Sequence, residues 1–172
     1  MRLYRGKITV ISEEIATTLI KEGDIEVTPQ NVSEVMLDIE SVLKEYMRID
    51  REILEKAKDI VEKRKLDYGQ LNRIRQTLAE EAQFGINEHA YDWLIRQLIE
   101  QMMHSRNVEE VFAEDQDLRR KIREVLKKHT EMEGDLDRQV RAKIKNLQEG
   151  TQNWDIEYQK VMMELRQAKR LE

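Results

Sequence analysis

The sequence predicts an all-α protein made of two similar three-helix units in tandem, related by a pseudo-two-fold, each with one long amphipathic helix. Three observations predict it. Apolar residues recur at three- and four-residue steps along most of the chain, the period of a helix with one buried face. Charged residues make up 38% of the 172 residues and aromatics 5%, with one proline and six glycines, a composition that suits long helices with wet outer faces. The chain also aligns with itself at a spacing of about 83 residues, and a repeat decides architecture before any local motif does. At that spacing Ile8 meets Tyr91, Ile11 meets Leu94, Ile15 meets Leu98 and Leu19 meets Met102. Further on, Val35 meets Leu118, Ile39 meets Ile122, Leu43 meets Leu126 and Ile53 meets Leu136. The units are residues 1–86 and 87–172. Either alone would bury a thin core, so the two are expected to pack together as one body.

The first helix is expected over 6–22, with Ile8, Ile11, Ile15 and Leu19 on one stripe and Gly23 as its stop. In the segment 24–28, Ile25 and Val27 alternate with polar residues and read as extended. Thr28-Pro29 offers an N-cap with proline at the first helical position, and Asn31 with Glu34 a competing capping box. The long helix that follows carries Val35, Ile39, Val42, Tyr46, Ile49, Ile53, Ala57 and Ile60, a heptad-like stripe that asks for a helix packed lengthwise against it. Glu40/Lys44, Glu52/Lys56 and Asp59/Lys63 add i,i+4 support. A kink near 48–51 would shorten it. A third helix holds Leu71, Ile74 and Leu78 and ends near Phe84-Gly85.

Asn87 can cap a fourth helix bearing Tyr91, Leu94, Leu98 and Met102, after which 107–112 takes the place of 24–28 and could pair with it. The second long helix is expected from Asp115 to Leu147, with Leu118, Ile122, Val125, His129, Met132, Leu136, Val140 and Ile144 on its stripe. The two long helices are expected to lie antiparallel at the centre. Beyond Gly150 a last helix places Trp154, Tyr158, Val161 and Leu165 on one face.

Composition excludes more than it reveals. Without cysteine there are no disulfides, thiolate chemistry or Cys-based metal sites, which suits a reducing cytoplasm. No apolar run approaches a membrane span, and mean hydropathy is -0.74. The opening MRLYRGKITVIS lacks the sustained apolar stretch of a signal peptide. A soluble, cytoplasmic protein is expected. The net charge of -5 is spread evenly, whereas phosphate-backbone binders usually carry a basic excess.

Catalytic and metal motifs are absent. Of His89, His104 and His129, only His104 has a carboxylate one turn away, Glu100, and neither a repeated Glu-x-x-His nor HExxH occurs. His129 falls on an apolar stripe and reads as a packed core residue. Adjacent acidic pairs such as Glu13-Glu14 point in different directions on a helix, and the glycines lie too far apart to cradle a phosphate. No cofactor or metal is expected, and no enzyme.

Two features could bind something. Lys63-Arg64-Lys65 closes the first long helix and Arg119-Arg120-Lys121 opens the second, joined by Lys127-Lys128 and Lys169-Arg170. Interleaved acids make these solvated faces first and a nucleic-acid surface second. In the last helix, Trp154 and Tyr158 give a large apolar payload, so Trp154, Asp155, Tyr158 and Lys160 form a candidate partner-binding set, with core packing as the plainer reading.

The opening MRLYRGKI and the closing EGTQNWDIEYQKVMMELR resemble the ends of an uncharacterised bacterial family, the domain of unknown function 507. The matching positions are Met1, Arg2 and Leu3, then Gly150, Trp154, Asp155, Tyr158 and Lys160. The resemblance implies a small helical cytosolic protein, here as a double-length tandem member, and carries no functional residues with it. The first unit's ending, DYGQLNRIRQTL, lacks the Trp and Tyr, so the two units are not equivalent. The function expected is a non-enzymatic helical interaction or scaffold protein that binds a protein partner. The alternative is an RNA- or ribosome-associated factor using a basic surface assembled from helix faces. The sequence leaves open whether the long helices pair within one chain or between two chains of a homodimer.

Overall fold

The computed structural model describes residues 1, 3–149 and 151–168, with the side chains of Met132 and Glu133 outside the description. Arg2, Gly150, Lys169 and Arg170 therefore lie outside the described residues. The fold is all-α. Six helices follow one another: α1 (Ile8–Lys21), α2 (Val32–Lys63), α3 (Leu71–Glu81), α4 (Ala90–His104), α5 (Asp115–Lys143) and α6 (Gln152–Ala168). Two short strands, β1 (Ile25–Glu26) and β2 (Glu110–Val111), stand after α1 and α4. A single turn of 3-10 helix leads into each of α1 to α4.

Local chemistry explains most of the boundaries. Gly23, at φ 74, ends α1 in a left-handed turn, with the Asp24 amide donating to the Leu19 carbonyl at 2.9 Å. Pro29 opens the turn before α2 as expected, but neither Thr28 nor Asn31 caps through its side chain. The side-chain cap that does form is at Asp67, which accepts from the Gly69 amide at 2.6 Å and starts the turn before α3. Asn87 does not cap α4 either; it sits at φ 52 inside the entering turn, a conformation asparagine tolerates. α2 is continuous through 48–51, and α5 ends at Lys143, four residues before Leu147, tolerating Gly134 within it.

The chain divides into two compact units, one formed by Met1 with Leu3–Lys127 and the other including Lys128–Glu172, so the boundary falls inside α5. In the first unit α2 packs along α1, α3 and α4. The core takes Ile11, Ser12, Ile15, Ala16 and Leu19 from α1 and Leu94, Ile95, Leu98, Ile99 and Met102 from α4, all buried. Each of the second five lies 83 residues after its counterpart in the first. The buried residues of α2 include Val35, Ile39, Leu43, Tyr46, Ile53, Ala57 and Val61, and those of α5 include Leu118, Ile122, Leu126, His129, Leu136, Val140 and Ile144, again in step. The buried line of α2 runs through Leu43 and Val61, while Val42, Ile49 and Ile60 are only half-buried, so the expected stripe is turned by about one residue there.

β1 and β2 pair antiparallel, Ile25 opposite Val111 and Glu26 opposite Glu110. Two-residue strands with like charges opposed cannot hold by themselves. Burial of Ile25 beneath them and two side-chain clamps do the holding. From α5, the Lys121 ammonium donates to Asp24 at 2.8 and 2.6 Å and meets Glu22 at 2.5 Å. From α2, the Asp38 carboxylate accepts from the Ser105 hydroxyl at 2.6 Å and the Asn107 amide at 3.0 Å.

Between α3 and α4 the chain turns through an aromatic cluster. Phe84 packs on Tyr46 and Trp93 with ring centroids 4.9 and 4.7 Å away. The Tyr46 hydroxyl donates to the Gly85 carbonyl at 3.2 Å, and the Trp93 indole to the Gln83 carbonyl at 2.9 Å. Burial raises the Tyr46 phenol pKa, which keeps it a neutral donor. Gly85 is required there: a β-carbon would lie 2.4 Å from the His89 carbonyl oxygen and 2.5 Å from the Trp93 Cβ.

Candidate functional site

The basic residues fall into two separate places. Lys63 ends α2 and pairs with Asp59 at 3.3 Å, while Arg64 and Lys65 are exposed in the turn that follows, Lys65 at φ 51. Arg119 pairs with Asp115, one turn before it on α5; Arg120 reaches Asp117 at 3.3 Å and Glu124 at 3.4 Å. Lys121, the least exposed of the six, is the clamp on β1. Its hydrogen bond holds the Glu22 carboxyl below the usual carboxylate range, while Asp24 and then Glu22 raise the lysine's own pKa. The second triplet is thus engaged with neighbouring acids, leaving little uncompensated charge for a phosphate backbone.

The α6 residues do come together, within the second compact unit. Trp154 stacks on Tyr158, centroids 4.9 Å apart and planes 23° from parallel. The Arg141 guanidinium lies 5.3 Å from the Trp154 ring centre, in cation–π range. Asp137 ties the group to α5, accepting from Tyr158 at 2.5 Å and from Arg141 at 2.9 Å, and Glu149 takes a second Arg141 nitrogen at 2.9 Å. Trp154, Tyr158 and Leu165 pack on buried Leu136, Val140, Ile144, Val161 and Met162. Trp154 and Tyr158 are therefore anchors that hold α6 on α5. Asp155 and Lys160 lie on the exposed side, Lys160 3.8 Å from Glu157.

Sequence reasoning missed the apolar residues on that exposed side. Ile156 and Met163 are 57% and 61% exposed, seven residues apart with Lys160 between them on one helix face. Their signal was legible: they are apolar residues off the Trp154–Tyr158–Val161 stripe.

A further groove, of about 680 Å³, runs beside α2 in the first unit. Arg5 and Ile8 form one wall, and Lys44, Met47, Arg48, Arg51, Glu52, Glu55, Lys56 and Asp59 the other. Glu52 pairs with Arg48 and not, as the i,i+4 spacing predicted, with Lys56.

The shifted titratable groups are those of ion pairs and the core, not those of an acid–base site. Glu40, buried on α2, is lowered by Lys44 and then by the Thr9 hydroxyl, which donates at 2.5 Å. His89 and His104 are exposed, and His104 bonds through Nδ1 with the Glu100 carbonyl at 2.8 Å; His129 is buried. Among the described residues no group of three or more His, Asp or Glu could hold a metal ion, and no helix is long and apolar enough to cross a membrane.

Two comparisons complete the picture. A family model described as a protein of unknown function (DUF507) matches residues 1–171. No curated protein matches the chain.

Proposed function

The chain belongs to the DUF507 family, and we propose that as a member of it the protein is a non-enzymatic helical interaction module that binds a protein partner. Exposed Ile156 and Met163 on the outer face of α6 carry the reading. Exposed apolar side chains set among charges mark contact surfaces more often than chemistry. Trp154 and Tyr158 brace the helix from behind, and Asp155 and Lys160 flank the apolar pair as polar rim.

The same proposal includes the tandem organisation: residues 1–86 and 87–172 are two copies of one unit, and the chain is a double-length member. The matched burial of α1 with α4 and of α2 with α5 supports it. The cytoplasm is the proposed place of action, which the lack of cysteine suits.

The test immobilises the full chain and identifies retained proteins, with Ile156→Glu/Met163→Glu as control. A protein held by the wild type and released by the variant, at unchanged helical circular dichroism, is the expected result. Turnover of a metabolite by the pure protein would overturn the reading. So would tight binding to RNA that falls steeply with salt, the signature of the alternative.

A further inference from the structure

The groove beside α2 is lined by a charge stripe that complements itself. Along the helix it reads Lys44, Met47, Arg48, Arg51, Glu52, Glu55, Lys56, Asp59, cationic at its start and chiefly acidic at its end. Steps of three and four residues keep it on one face. Turned end for end about a point between Arg51 and Glu52, the stripe sets Lys44 against Asp59, Arg48 against Glu55, Arg51 against Glu52, and Met47 against Lys56.

We propose that this stripe is the surface on which two copies of the chain associate, α2 lying antiparallel on α2 of the second copy. Such an interface is isologous, each contact occurring twice about a two-fold axis. The charges within the chain leave room for it. Glu52, Glu55 and Asp59 are paired to Arg48, Lys58 and Lys63. Among the described residues Arg51 and Lys56 meet no partner, and neither does Arg5 on the opposite wall. In the dimer Arg51 gains Glu52 of the second copy, and the Lys56 stem lies over Met47, whose flexible side chain adapts to fill the gap. The mixed signs also argue against a nucleic acid here, because a polyanion along the groove would meet three carboxylates.

The stripe is not a by-product of the repeated helix. Under the tandem reading the corresponding positions are Lys127, Thr130, Glu131, Gly134, Asp135, Arg138, Gln139 and Ala142. Turned on itself that row sets Lys127 against Ala142 and Asp135 against Gly134. The buried positions recur while the self-complementary charges do not, so the core does not require them.

Sedimentation of the full chain over rising concentration tests the proposal, with two charge-altered forms: Arg48→Glu/Arg51→Glu and Glu52→Lys/Glu55→Lys. The wild type is expected to dimerise, more weakly as salt rises. Each altered form alone should bind itself at least about tenfold more weakly, and an equimolar mixture of the two should restore the dimer. Should either fail to keep its helical signal, Arg51→Ala/Glu52→Ala replaces it and should also weaken the dimer. A wild type that stays monomeric to about 0.1 mM overturns the proposal, as does a dimer that survives in both altered forms or a mixture that does not associate. Ile156→Glu/Met163→Glu should dimerise like the wild type, which separates this result from that of the α6 face.

Discussion

Asp38 on α2 and Lys121 on α5 lie 83 residues apart and grip corresponding corners of the fold. Asp38 takes hydrogen bonds from Ser105 and Asn107 between α4 and β2; Lys121 gives them to Glu22 and Asp24 between α1 and β1. Those targets are also 83 residues apart. The clamp is one arrangement with its charges exchanged, acid for base on the helix and base-accepting acids for neutral donors on the loop.

Lys121→Met should lower the thermal midpoint by several degrees. It leaves the buried Asp24 carboxylate without its cation, and a buried charge stripped of its partner costs more than the pair contributes. Asp24→Asn in the same chain should recover part of the loss, since an amide is less costly to leave there. Thermal denaturation of the single and double variants at neutral pH checks both.

Leu43→Ala and Leu126→Ala should destabilise by similar amounts, about 3 kcal/mol each. Both side chains are fully buried in the same cluster and correspond across the repeat. Urea titration measures the two costs, and a difference of more than about 2 kcal/mol would count against equivalent sites.

Gly85→Ala should cost about 2 kcal/mol or more. The added methyl would sit against the His89 carbonyl oxygen, which is backbone and cannot swing aside. Trp93 fluorescence should report the disturbance, because its indole is fixed one residue pair away on the Gln83 carbonyl.

Acid should weaken the wild type partly through Glu40. Its pKa in the folded chain lies below the ordinary value because Lys44 and Thr9 favour the carboxylate. The contribution is therefore full above the unfolded pKa and is lost as pH falls through the folded one, between roughly pH 5 and 3. Glu40→Gln should be less stable at neutral pH and close the gap to the wild type over that window. Unfolding midpoints measured from pH 7 to 3 give the comparison.

Much of this was legible in the chain. Helix period, the Gly23 stop, the extended segments at 25 and 110 and the burial of His129 follow from residues and spacing, because each depends on neighbours within a few positions. The site was less so. Trp154 and Tyr158 stood out as large aromatics, yet aromatic content does not say which side of a helix is covered. Arg119 to Lys121 read as a basic cluster, and only their acidic partners, one of them 97 residues away from Lys121, make them structural.

By itself the sequence determined an all-α chain, the order of its helices and the recurrence of its apolar positions, since periodicity and local turn chemistry are short-range properties. Tertiary structure decided the rest: that β1 pairs with β2 in one register, that Leu43 and Val61 lead the buried line of α2, and that Lys121 is a clamp while Ile156 and Met163 face outward. Which partner satisfies a charge, and which apolar side chain is left in water, are questions of distance between segments that the order of residues does not contain.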